Sequence, residues 1–174
     1  MIDRIVRAIR LDWTVFREIA DDKDALKEAA IIVAIVSFLS AIGMTAGPSI
    51  TKIVAGMPVL GFFFNWIVAG VLLGWIGWAI LTYLVGSLVI KAGTDNPDMQ
   101  RVLGYAIAPQ LIGQLAFITC ECWIFPNAVA VMALIAGINA YREAMETDTG
   151  NAIITVVVSW VVVFAIRALF LFII

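Results

Sequence analysis

Residues 101–125 read RVLGYAIAPQLIGQLAFITCECWIF, an apolar run with several reactive or hydrogen-bonding groups set into it. Gln110 and Gln114 stand one turn apart and each carries donors and acceptors. Tyr105 adds a hydroxyl one turn before Pro109. A proline inside a helix removes one backbone donor and blocks another bond, so carbonyls near Tyr105 and Ala106 lose their partners. In apolar surroundings such a break persists only where neighbouring helices, water or polar side chains restore the bonds. Three uses fit Gly104, Tyr105, Pro109, Gln110 and Gln114. They can glue helices together, line a polar pocket for a lipid headgroup, small solute or ion, or carry a proton or ion path. The path requires an ionisable group at mid-depth, and this stretch has none there.

Other chemistry is thinly provided. The chain has no histidine, which removes the commonest metal ligand and neutral-pH general base. Its two cysteines, Cys120 and Cys122, are too few for a disulfide framework or a four-thiolate zinc site. There is no GxSxG, no HExxH and no pair of intramembrane aspartates, so an intramembrane enzyme is not expected. No metal, cofactor or nucleic acid is expected either. Glu121 and Arg167 fall toward the same end of the predicted bundle, where they can form an ion pair.

The elements that must position these residues follow from composition. Of 174 residues 63% are apolar and only 14% charged, against roughly 45–50% apolar in soluble domains. One soluble core cannot hide that much apolar surface. The sequence predicts an all-α integral membrane protein, a compact bundle of five transmembrane helices with an N-terminal amphipathic interfacial helix. Using about 20 apolar residues per crossing, the spans are 29–46, 61–90, 102–118, 123–141 and 152–173. The second, at about 1.5 Å per residue, is near 45 Å long and must tilt, bend or protrude. A rival arrangement makes residues 102–141 a re-entrant hairpin.

Lys and Arg set the orientation. Arg4, Arg7, Arg10, Arg17, Lys23 and Lys27 precede the first span, Lys91 and Arg101 lie between the second and third, and Arg142 follows the fourth. The other side has Lys52. The N-terminus is therefore expected in the cytoplasm and the C-terminus outside. A cleavable signal is not expected, because a mixed-charge segment precedes the first apolar run.

Residues 1–22 form their own segment. Ile2, Ile5, Val6, Ile9, Trp13, Phe16 and Ile19 make a helical stripe. A basic amphipathic helix of this kind lies in the membrane interface, so Arg4, Arg7, Arg10, Trp13, Phe16 and Arg17 are expected at the membrane surface among anionic lipids. Asp12 can cap a second short helix, and Asp21 or Asp22 the helix entering the first span. The remaining domain, 23–174, carries small residues at helix-packing spacing: Gly70, Gly74 and Gly77, and Ala133 with Gly137. They pack one bundle together, or alternatively form a homodimer seam. Trp75 and Trp78 fill space beside glycines, while Trp66, Trp123 and Tyr141 read as interfacial belt anchors.

The order of parts resembles the Yip domain family, the Ypt-interacting membrane proteins, and is most similar to its prokaryotic branch. The resemblance rests on Thr14-Val15-Phe16-Arg17-Glu18-Ile19-Ala20 before the first span, on Gly104-Tyr105-x-x-x-Pro109, and on Ala136-Gly137-Ile138-Asn139-Ala140-Tyr141-Arg142. It covers about Ile9 to Phe172. It implies a five-span scaffold without known catalysis, in a prokaryotic inner membrane. Eukaryotic members bind prenylated Rab-type GTPases, but their acidic-Leu-Tyr-Gly-Pro motif does not occur in this sequence. The expected function is a scaffold or accessory subunit organising membranes or another membrane protein or complex. The alternative is a small transporter or lipid-binding protein with its pocket at the kinked third span.

Overall fold

The computed structural model describes residues 1–46, 62–89, 96–114 and 124–173, which are helical apart from short turns. Helix α1 (Ile2–Ile9) and helix α2 (Thr14–Asp21) form an N-terminal hairpin. Its turn is compact: the Leu11 and Asp12 amides donate back to Ala8 and Arg7, with Leu11 in the left-handed region at φ 58°. Asp12 then opens α2, accepting the Thr14 amide at 3.1 Å and the Thr14 hydroxyl at 2.7 Å. Asp22 accepts the Asp24 amide at 3.0 Å just ahead of α3 (Ala25–Ala46).

The second long segment changes its winding along its length. Phe64–Gly77 is wound with i→i+5 bonds and passes without interruption into α4 (Trp78–Val89). Wider turns advance less per residue, so the segment absorbs its excess residues partly by winding. Helix α5 (Asn96–Ala106) is short, α6 (Ile124–Met145) and α7 (Thr149–Ile173) are long. Glu146 turns the chain between α6 and α7 at φ 47°. Asp148 starts α7 by accepting the Asn151 amide at 3.1 Å.

Four helices among the described residues are long and apolar enough to cross a membrane: Ala25–Ile42, Phe64–Leu88, Ala128–Met145 and Thr149–Leu169. The span expected over 102–118 is not one continuous helix. It ends at Ala106, turns through Ile107–Pro109 and resumes only over residues 110–114. Residues 115–123 lie outside the described residues. The break coincides with Pro109, as expected.

Helix α5 is packed on several sides. Every residue from Arg101 to Pro109 is buried, and α5 packs against α1, α2, α3, the i→i+5 helix, α4 and α6. Close approach is possible because Gly104 has no side chain: a Cβ there would stand 2.6 Å from Ala29 Cβ and 3.1 Å from Trp75 Nε1. Trp75 donates its indole hydrogen to the Gln100 carbonyl at 2.9 Å. The hairpin seals the same end. Ala8, Val15, Phe16 and Ile19 are fully buried in one core with α3, α5 and α6 residues.

Two readings of the sequence are corrected here. Phe16 is core rather than membrane surface, because α2 lies against α5 and α6 with Phe16 on its inner side. Tyr141 is fully buried rather than an interfacial belt anchor; its hydroxyl rests on Gly86, whose missing side chain admits it.

Replacing Gly104 by alanine drives a methyl group into Ala29 and Trp75. We expect a loss of about 1–3 kcal/mol, read as an earlier midpoint when the detergent-solubilised protein is unfolded with dodecyl sulfate.

Candidate functional site

The polar groups gather where the hairpin meets α3 and α5. The Tyr105 hydroxyl, at the end of α5, donates to Glu28 Oε2 on the first turn of α3. Arg4 Nη1 stands 3.6 Å from the same carboxylate. Arg4 also donates through Nε to Glu18 at 2.8 Å and through Nη1 to Asp22 at 2.7 Å. One guanidinium on α1 thus ties together α2, the α2–α3 turn and α3. Planar forked donors suit this task better than an ammonium group.

Arg7 extends the network along the hairpin. It reaches Asp12 at 3.0 Å, Glu18 at 2.9 Å and the Thr14 hydroxyl at 3.1 Å. On α2, Arg17 pairs with Glu146 at 2.8 Å, binding the hairpin to the turn after α6. Deeper in, Arg101 pairs with Asp98 one turn back and is only 7% exposed; its Nε has no partner among the described residues.

These contacts shift the titration of the hairpin acids. Hydrogen bonds from Arg4, then Arg7, hold Glu18 below the usual carboxylate range. Asp22 is lowered by Arg4 and then by the Asp24 amide. Asp12 is lowered by Thr14 and then by Arg7. Burial opposes each shift without reversing it.

Of the residues singled out in the sequence, Tyr105 and Gly104 join this centre directly, Tyr105 by its hydrogen bond and Gly104 by letting α3 close in. Pro109 is buried, and Gln110 and Gln114 are half-buried on the short turn beyond it. With its hydroxyl committed to Glu28, Tyr105 faces the hairpin end rather than a cleft shared with the two glutamines. Arg4 and Arg7 are engaged with acids of the chain, Arg17 likewise, while Arg10 is exposed and Trp13 is 52% exposed beneath the Arg142 guanidinium, 5.5 Å from its ring centre. Gly70 closes on Ser37 and Gly137 on Trp78, so both serve contacts within the bundle; Ala133 is buried and Gly74 faces Arg167. Around Gly77 a Cβ would meet only its own helix. Glu121, Cys120 and Cys122 lie outside the described residues, so the Glu121–Arg167 pair does too.

Sequence reasoning missed the acids. Glu18 on α2 and Asp22 just past its end are spaced i and i+4, as Arg4 and Arg7 are spaced i and i+3 on α1. That complementary spacing was the available signal, but the orientation argument discounts acids. Among the described residues no three carboxylates or thiols converge as metal ligands. The arrangement can fix a surface in place; its tyrosine, carboxylates and guanidinia are bound to one another rather than to a nucleophile.

A family model described as the Yip1 domain matches residues 14–170. No curated protein and no solved structure gives a significant match. The matched region runs from the start of α2 nearly to the end of α7 and leaves α1 ahead of it.

Because Glu18 and Asp22 are lowered in the folded state, the unfolded chain takes up their protons first as pH falls. Their contribution is complete above the ordinary carboxylate pKa, about pH 4, and is lost as pH drops through the lowered folded values. The thermal midpoint in detergent is therefore expected to fall on acidification below about pH 4, and Glu18→Gln with Asp22→Asn to flatten that dependence at a lower midpoint.

Proposed function

Since the chain belongs to the Yip1 domain family, and its apolar helices place it in the bilayer, we propose that it is a non-catalytic membrane scaffold presenting its N-terminal hairpin to a partner. The observation that carries this reading is the division of faces on the hairpin. Its inner side is locked to the bundle by Phe16, Ile19 and the Arg4 network. Its outer side leaves Ile2, Val6 and Trp13 exposed, with Arg10 beside them. A rigid plate with exposed apolar side chains and a cation is suited to a second membrane protein at the headgroup level, or to anionic lipid around it. Rigid presentation also lowers the ordering cost of binding.

The Lys and Arg distribution supports a cytoplasmic position for this plate, and the resemblance to the prokaryotic branch supports a prokaryotic inner membrane as its home. The alternative of a transport or lipid pocket at Tyr105, Gln110 and Gln114 loses support from the Tyr105–Glu28 bond, which takes one of its three polar groups elsewhere.

Native purification in mild detergent tests the proposal. The intact chain is expected to bring down another membrane protein in fixed proportion. An Ile2→Ser, Val6→Ser variant is expected to lose it while keeping its thermal midpoint, because both side chains are exposed. A chain that purifies alone, or a variant that retains the partner, counts against the hairpin as the docking surface.

A further inference from the structure

Well away from the hairpin network, four buried side-chain atoms lack a well-formed hydrogen bond among the described residues: Trp78 Nε1, Thr82 Oγ1, and the facing pair Tyr141 Oη and Thr155 Oγ1. They belong to α4, α6 and α7, and the structure brings them to one seam. The Trp78 ring lies on Gly137, where a Cβ would stand 2.8 Å from its edge, and Val156 reaches the same point at 3.5 Å. Farther along α4, Gly86 receives the Tyr141 hydroxyl. Thr82 is one turn from both Trp78 and Gly86, so its hydroxyl is bracketed by these two contacts. Thr155 precedes Val156 and faces Tyr141. One turn on, Ser159 donates to the Thr155 carbonyl at 2.7 Å and keeps its oxygen available as an acceptor.

Thr82, Tyr141, Thr155 and Ser159 are all fully buried within segments that cross the membrane. Hydroxyls and an indole N–H in such a place are costly unless something pairs with them. Trp78 can only donate, whereas each hydroxyl can both donate and accept. The complement must therefore be small, neutral and able to do both. No charged side chain belongs to the set, which disfavours an ion.

We propose that the α4–α6–α7 seam is an internal water site, held by Trp78, Thr82, Tyr141 and Thr155 within the bilayer part of the bundle. Water meets the requirement, since a buried molecule makes two to four bonds to groups such as these. The site is separate from the hairpin surface and does not depend on it.

Two measurements on the intact chain test this. With 15N at tryptophan in detergent micelles, the Trp78 indole, assigned by its loss in Trp78→Phe, is expected to show a cross-peak to water. The Trp75 indole, bound to the Gln100 carbonyl, is expected to show none. Thr82→Val and Thr155→Val keep the side-chain shape and remove one hydroxyl each. If the hydroxyls bind water, each variant lowers the thermal midpoint, by about 2–4 °C for a chain of this size. If the seam is dry, removing an unpaired hydroxyl raises the midpoint or leaves it unchanged. A missing Trp78 cross-peak overturns the proposal, and so does an unchanged or raised midpoint in both valine variants.

Discussion

The break at Pro109 is the constraint from which the rest of the arrangement follows. A proline in a helix takes away a donor, and in a bilayer no water stands ready to replace it. The chain answers by tightening to three-residue bonds: Ala108 donates to Tyr105 at 2.9 Å, Gln110 to Ile107 at 2.9 Å and Leu111 to Ala108 at 3.0 Å. Backbone bonded this way cannot face lipid, because its remaining acceptors would be left bare. It must be covered by protein, and residues 101–109 are covered completely. The first half of this expected span thereby lies at the core against which the neighbouring helices pack.

Covering it requires the hairpin. The apolar contacts supply most of that attachment. Burying a side chain such as Phe16 or Ile19 stabilises by roughly 1.5–3 kcal/mol, whereas an exposed ion pair contributes roughly 0–1 kcal/mol. Glu18 is nearly half exposed, so its pairing with Arg4 and Arg7 contributes at the lower end. What the arginines add is register. Arg4 meets Glu18, Asp22 and Glu28 together only when α1 lies at one height and one rotation against α2 and α3. Sliding α1 by a turn keeps much of its apolar contact but breaks all three pairs.

The sequence disclosed the class, the long helices and several boundaries, because those depend on local composition and caps. Asp12 and Asp22 could be read as helix starters from their positions alone. The failures share one physical origin: a periodic stripe says which face of a helix is apolar but not what covers it. Ile2, Val6, Trp13, Phe16 and Ile19 belong to one stripe, yet the turn at Leu11 leaves the first three outside and carries the last two into the core. Tyr141 failed in the same way. A tyrosine near a span end suits an interface, and only the remote Gly86 reveals that it is inside. Pro109 was legible as a break. Its effect on the course of the helix was not, because hydropathy counts apolar residues and is blind to whether the helix is continuous.

Polar groups are graded along the bundle in a way that matches the cost of burying them. Charges collect at the hairpin end, where Glu18 and Asp22 keep access to solvent. Arg101, buried near that end, has a carboxylate one turn away, while Arg167, on α7 against Gly74, stands outside this gradation. Along the α4–α6–α7 seam only neutral hydroxyls and an indole remain, groups whose transfer out of water costs far less than that of an ion. The gradation also makes the hairpin more than a lid. Lifting it would uncover Phe16 and Ile19, open the Arg4 network and expose the Tyr105–Glu28 contact at one stroke. A ligand that grips Ile2, Val6 and Trp13 therefore meets a surface braced from beneath, and its binding energy goes into contact rather than into folding the hairpin.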